Sequence, residues 1–233
     1  AAFKKANPQG DDLIRWKYQR YIKDYLRCVA SVDDSAGAVL DYLDKTGLAK
    51  NTLVVYTSDQ GYWLGQHGFY DKRLILETSM HMPFLIRYPR VIKPGTLSKD
   101  LCINVDLAPT LLELAGLKVP ASMQGRSMVS LLKGKSPTDW RQSQFYSYWG
   151  APNHYGIRTK RYTYLKLEGH PAELFDHETD PDQVHNVAAN TENKAVVKRL
   201  EKELLKQIRE VDISQDELPS SSKDKEKKKN PRR

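Results

Sequence analysis

An apolar run, Leu53-Val54-Val55-Tyr56, leads directly into Thr57-Ser58-Asp59-Gln60-Gly61, and this junction constrains the chain more than any other stretch. A short run rich in β-branched residues reads as a buried strand of a parallel sheet. An acid and an amide carbonyl then stand at the strand's carboxyl end, where open α/β sheets bind ligands. The loop continues through Leu64-Gly65-Gln66-His67-Gly68 to Asp71-Lys72-Arg73. Hard oxygen donors and cationic side chains in one loop suit a divalent metal that holds an anionic group.

The flanking sequence supplies an α/β layer. Apolar residues from Leu13 to Leu43 recur at three and four, which predicts one long helix, or two in line, over about Asp11 to Thr46. Asp11 or Asp12 is placed to cap its start, and Gly47 follows its last turn. Asp71 is expected to cap a short helix over Arg73 to Ser79. Pro83-Phe84-Leu85-Ile86-Arg87-Tyr88 reads as a second buried strand, ended by Pro89. Asp106 to Gly116 reads as a capped helix with Pro109 in its first turn. The order helix, strand, loop, helix, strand implies a layered α/β domain.

Past Gly134 the pattern changes to short alternating segments. Gln144 to Trp149 alternates like a strand, and 154–159 with 162–167 forms a hairpin around Lys160-Arg161. Glu173-Leu174-Phe175-Asp176 adds a strand. Asn190 or Thr191 then opens an amphipathic helix to about Val211. The expected division is 1–140 for the α/β part, 141–213 for a small antiparallel sheet packed by a helix, and 214–233 for a disordered basic tail.

Composition sets outer bounds. With 233 residues, 39% hydrophobic and 28% charged, the chain can bury a real core. No apolar run approaches the length of a membrane span, and Ala1-Ala2-Phe3-Lys4-Lys5 does not resemble a signal peptide. Residues 214–233 hold seven Lys/Arg and four Asp/Glu, a net of +3 out of the chain's +8. No aromatic residue interleaves those lysines, so the tail reads as a solvated terminus and no nucleic-acid partner is expected. Cys28 and Cys102 form no disulfide framework and read as buried free thiols.

Taken together, the motifs resemble those of the sulfatases of the alkaline phosphatase superfamily, of the glycosaminoglycan or heparan type. Thr57 to Gly61, Leu64 to Gly68 and Asp71 to Arg73 carry the likeness. Ser31-Val32-Asp33-Asp34-Ser35, Pro83 to Arg87, Val105 to Leu111, and Glu173 to Asp176 followed by Asp180-Pro181 extend it, so that it runs from about Asp12 to Ile208. The resemblance implies part of a mixed sheet sandwiched by helices, plus the small C-terminal subdomain. It implies that Asp59 and Gln60 ligate Ca2+, with Gln60 standing where many members have Asn or His. It implies that Lys72 contacts the sulfate and its bridging oxygen. His67 and Arg73, and His154 and Arg158 from the C-terminal subdomain, become substrate-contact candidates. The implied substrate is a sulfated carbohydrate, and the implied location is secreted, periplasmic or lysosomal.

One departure is large. The family nucleophile is a formylglycine made from Cys or Ser in a Cys/Ser-x-Pro/Ala-x-Arg motif, and no such motif occurs here. Cys28, followed by Val29-Ala30-Ser31-Val32, does not match. The chain therefore reads as the C-terminal half of a sulfatase that needs the missing N-terminal half as its partner and is inactive alone. Two rivals stand beside this: a phosphonate or phosphodiester hydrolase of the same superfamily, and a non-catalytic polyanion-binding fragment.

Plainer readings compete at single residues. Asp59 could be a turn-forming acid, and Lys72 an exposed lysine at a helix start, where the dipole disfavours it. His67 could be a loop histidine bonded to backbone. Asp33 and Asp34 fall mid-helix and read as a solvated face rather than an acid–base pair. His81, His170, His177 and His185 show no metal spacing. Tyr146, Tyr148 and Trp149 could stack on a sugar ring, although core packing explains them as well.

Overall fold

The structure is a computed structural model that describes residues 7–150, 152–214 and 218. The chain divides into two compact units, Ala1–Val55 with Ile86–Arg90, and Tyr56–Leu85 with Val91–Arg233.

The first unit is dominated by α1, Gly10–Lys45. Gln9 is its N-cap, and Asp11 and Asp12 lie inside the first turn, where they complement the helix dipole without capping it. Gly47 follows in the left-handed region at φ 73°, the expected end signal. No residue of α1 is buried, and Leu26 and Val39 are more than half exposed. Cys28 is likewise exposed rather than buried. After a 3-10 turn at Leu48–Asn51, β1 (Val54–Thr57) and β4 (Phe84–Arg87) form a two-stranded sheet. Both strands were expected to be buried. Instead Val54 and Val55 are half-buried, while Tyr56, Phe84 and Leu85 are exposed. Their composition meets the demand for a buried strand, yet the described residues do not bury them.

The second unit holds the core. β5 (Ser143–Tyr148), β6 (His154–Thr159), β7 (Tyr162–Leu167) and β8 (Glu173–Asp176) form an antiparallel sheet in that order. The β6–β7 register sets Ile157 opposite Tyr164, and β7–β8 sets Tyr164 opposite Leu174. Successive strand residues point to opposite faces, and here both faces are covered. Tyr155, Ile157, Tyr164 and Leu174 pack against Leu200, Leu204 and Ile208 of the last helix, Lys194–Glu210. Leu165 and Phe175 face the other way and pack with Trp63 and Leu76. The hairpin, the fourth strand and the C-terminal helix stand where their sequence patterns predicted them.

A third cluster, Met128, Leu131 and Trp140, lies under the helix Leu107–Leu114, with half-buried Cys102 at its margin. Burial pushes the Cys102 thiol up to about 11. Asp106 precedes that helix but does not cap it with its side chain. Its fully buried carboxylate accepts the N–H of Ile103 (3.0 Å) and of Arg126 (2.8 Å), and both terminal nitrogens of Arg141. The local pattern suggested a cap; the long-range guanidinium claims the carboxylate instead, because a buried charge needs a countercharge. Thr110 donates to the Asp106 carbonyl and accepts from Met128 N–H, which ties the helix to the following segment.

Removing one partner of this buried pair strands the other. Arg141→Ala is expected to lower the unfolding free energy by about 3–5 kcal/mol. Arg126→Ala, which breaks the exposed pair to Asp139, should cost under about 1 kcal/mol. Urea denaturation of the two variants checks the contrast.

Candidate active site

The loop after β1 is a short hairpin. β2 (Trp63–Leu64) and β3 (Tyr70–Asp71) run antiparallel, with Trp63 opposite Asp71 and Leu64 opposite Tyr70. The turn is closed by Gly65 N–H to the Phe69 carbonyl (2.8 Å), and Gly65, His67 and Gly68 all take positive φ. Trp63 and Asp71 are the last pair at the open end. Asp59-Gln60 enters, and Lys72-Arg73 leaves, at that same end. Asp71 caps no helix: it belongs to β3, and the next helix spans only Glu77–Met80 with Leu76 as its N-cap. Asp71 (φ 84°) and Arg73 (φ 118°) sit in the left-handed region that side chains avoid. This breaks the helical run and stores local strain beside Lys72.

Contacts from three directions hold this strained segment. Trp63 is 1% exposed and donates its indole N–H to Ser79 Oγ at 2.5 Å. Gly61 donates its N–H to the Ser79 carbonyl at 2.7 Å, and a β-carbon at Gly61 would stand 2.0 Å from the Thr78 carbonyl oxygen. Only glycine permits that approach. From β6, fully buried His154 accepts the Ile75 N–H on Nε2 (3.1 Å), which leaves Nδ1 to donate to the Pro152 carbonyl (2.7 Å). The two bonds define a neutral imidazole, and burial holds its pKa below the usual histidine range. From the loop after β8, the Asp182 carbonyl meets His67 Nε2 at 2.6 Å, and Gln183 Oε1 accepts the Glu77 N–H at 2.5 Å.

Glu77 closes the assembly. Arg158 grips its carboxylate through Nε (2.8 Å) and Nη2 (3.2 Å). Burial raises the Glu77 pKa, but the hydrogen bonds and charge of Arg158 outweigh it and hold the carboxyl below its ordinary value. The β8 loop is ordered by its own acids and amides. Asp180 accepts the Val184 and His185 N–H groups, and Asn186 Oδ1 accepts those of Leu174 and Ala188.

The seven predicted site residues thus fall into two sets. Asp59, Gln60, Lys72 and Arg73 lie at the open end of the hairpin. Asp59 and Lys72 are exposed, and Lys72 has no hydrogen-bond or ion-pair partner among the described residues. Among the described residues the Asp59 side chain bonds only to the Ser58 hydroxyl (3.2 Å), and the Arg73 side chain only to Asp71 (3.2 Å). His67, His154 and Arg158 are instead engaged by backbone carbonyls, a backbone N–H and Glu77. Trp149 is exposed, while Tyr148 stacks at a tilt on His154, with ring centroids 5.3 Å apart. Sequence reasoning missed Glu77, Ser79 and Gln183. The only available signal was the Asp-Pro motif at 180–181, whose acid marks a tight turn; nothing local announced where that turn would dock. Among the described residues no three His, Cys, Asp or Glu side chains come together as a metal cage. The carboxylate of Asp59 and the amide carbonyl of Gln60 have the hardness calcium prefers, and they fit as part of the six to eight oxygens it takes.

The protonation states carry a stability signature. A neutral, buried histidine binds fewer protons than the unfolded chain just below pH ~6.5. Stability should therefore be complete above that pH and fall as pH is lowered toward the depressed folded pKa of His154. Loss of the Glu77–Arg158 contribution should follow only at more acidic pH, as pH drops through the depressed Glu77 value. Thermal melts between about pH 7 and 5 should show the first loss, and a shallower slope in His154→Gln. Separately, Gly61→Ala should cost about 1–3 kcal/mol or more by overpacking against the Thr78 carbonyl, measured by denaturant midpoint.

Comparison with known proteins bears on this geometry. The family model described as "Sulfatase" matches residues 1–117, and that described as "N-sulphoglucosamine sulphohydrolase, C-terminal" matches 65–210. An N-acetylglucosamine-6-O-sulfatase of Bacteroides thetaiotaomicron is 41% identical over 220 residues, covering 90% of this chain and 39% of that protein. A structure solved in complex with its substrate D-glucosamine-2-N,6-O-disulfate superposes with TM-score 0.89 at 39% identity, over 93% of this chain and 46% of that one. The phosphonate monoester hydrolase of Agrobacterium radiobacter superposes with TM-score 0.69 at 28% identity, over 76% of this chain and 39% of that one. The chain spans about two-fifths of the length of the curated relatives it matches. Matched over residues 1–210 by these two family models, and by a relative with two residues in five unchanged, the chain belongs to the sulfatase family and carries its alkaline-phosphatase-like α/β fold.

Proposed function

We propose that this chain is the C-terminal part of a calcium-dependent sulfatase that hydrolyses sulfate esters or sulfamates of a sulfated carbohydrate, and that it works together with an N-terminal part that bears the formylglycine nucleophile. The observation that carries the reading is the open end of the β2–β3 hairpin. The chain enters that end through exposed Asp59 and half-buried Gln60 and leaves it through Lys72, an exposed ammonium with no partner among the described residues, while neighbouring polar groups spend their bonds on holding the hairpin in place. The relative solved with a sulfated glucosamine supports the substrate class.

In this reading Lys72 binds a sulfuryl oxygen and offsets charge that builds on the leaving alkoxide as the S–O bond breaks. Asp59 and Gln60 would hold Ca2+, which supplies a fixed positive charge for the sulfate group. Arg73, exposed and only loosely held by Asp71, binds a hydroxyl or acid of the sugar. His67, His154 and Arg158 act chiefly on position. They hold the turn, the Ile75 amide and Glu77, so that Lys72 stays aimed. Preorganisation of this kind offsets the backbone strain at Asp71 and Arg73.

In the complete enzyme, Lys72→Ala should reduce kcat for a sulfated glucosamine by about 10²–10³. Near-normal turnover would reject the role. Likeness to a phosphonate monoester hydrolase supports one rival chemistry on the same loop. Side-by-side kcat/KM for a sulfate ester and a phosphonate monoester decides between them, since preference for the phosphonate sinks the sulfatase reading.

A further inference from the structure

A second concentration of charge lies on the C-terminal subdomain and shares no residue with the 57–73 loop. The last helix, labelled α5 here (Lys194–Glu210), presents Arg199, Lys202, Lys206 and Arg209 at intervals of three and four, which aligns them as one stripe. The stripe is about 15 Å long at 1.5 Å per residue. Lys160 and Arg161, at the turn between β6 and β7, face it across a groove of about 720 Å³. All six cations are exposed, and Glu203 is the one carboxylate among the groove's lining residues.

The partnering is uneven. Lys160 pairs with Asp100 (3.0 Å), Arg161 with Asp176 (2.7 Å) and Glu178 (2.9 Å), and Lys206 with Glu210 (3.7 Å). Glu203 accepts from the Ser143 hydroxyl (3.1 Å) and the Gln207 amide (3.1 Å), and so faces its own shell. Arg199, Lys202 and Arg209 have no acidic partner among the described residues. Three unneutralised cations on a rigid helix, spaced along a groove, match an extended polymer with regularly repeated anions. The single aromatic ring in the groove, Tyr162, already lies under the Arg161 guanidinium, 5.0 Å from its centroid. No platform is left for stacking a base. The groove also lacks the apolar anchors that a membrane surface requires.

We propose that this groove binds a sulfated polysaccharide chain, at a surface separate from the 57–73 loop. The choice of a sulfated rather than another polyanion rests on the function proposed above. The groove itself rests on the α5 stripe alone.

The test is binding of the 233-residue chain to a fluorescent heparin dodecasaccharide at two salt concentrations. The triple variant Arg199→Ala, Lys202→Ala, Arg209→Ala should bind roughly tenfold or more weakly and show a flatter salt dependence, because fewer counterions are released. Arg199→Lys, Lys202→Arg and Arg209→Lys together should restore binding. A tail variant with Lys225, Lys227, Lys228 and Lys229 changed to alanine should bind within about twofold of the parent, since it leaves the groove's contacts intact. Matching melting curves show that each variant is folded. Unchanged affinity in the triple variant, or a loss confined to the tail variant, overturns the groove. Equal affinity for desulfated heparin, or for single-stranded RNA of equal charge, overturns the sulfated partner. The assay needs no turnover, so a failed groove leaves the sulfatase reading standing, and failed turnover in the complete enzyme leaves the groove measurable.

Discussion

Trp63 joins the hairpin to the sheet, and the arrangement of the site follows from that one contact. Its indole sits against Leu165 and Phe175 on the sheet face turned away from the last helix, and its N–H is spent on Ser79. Burying so large a side chain contributes several kcal/mol. A strand residue can face only one side, so Tyr164 and Leu174 go to the helix while Leu165 and Phe175 go to the hairpin. The sheet therefore serves as a platform with a structural face and a site-bearing face. The residues at the open end of the hairpin inherit their rigidity from it.

Charge follows the same division. Where guanidinium and carboxylate are drawn from water, as in Arg141–Asp106 and Arg158–Glu77, each pair is two-pronged and tied to backbone groups or a packed neighbour. Such pairs fix geometry more than they add stability. Lys72, and Arg199, Lys202 and Arg209 on one stripe of the last helix, are cations with no acidic partner among the described residues. An unpaired cation on an ordered scaffold costs little in water and is free to meet an anion, which is why these two regions carry the functional readings.

The first unit shows what a pattern can demand without receiving. The spacing from Leu13 to Leu43 predicts an amphipathic helix, and α1 forms over Gly10–Lys45, yet none of its residues is buried. β1 and β4 are strands as expected, but are more exposed than their composition calls for. The chain spans about two-fifths of its curated relatives. Periodicity reports the face that a segment can bury and says nothing of whether the partner surface is at hand.

Local order of residues was enough for the 154–167 hairpin, the strand at Glu173–Asp176 and the amphipathic helix after Asn193, because turn chemistry, side-chain alternation and helical spacing act over a few positions. Asp71 as a strand residue, Asp106 as the hub for Arg141, and the docking of Asp182 and Gln183 onto the hairpin were decided only by tertiary structure. The last two hinge on groups 35 to 115 positions apart in the chain. Several of them are backbone carbonyls and amides that every residue carries, so no residue type marks in advance which one a distant side chain will find.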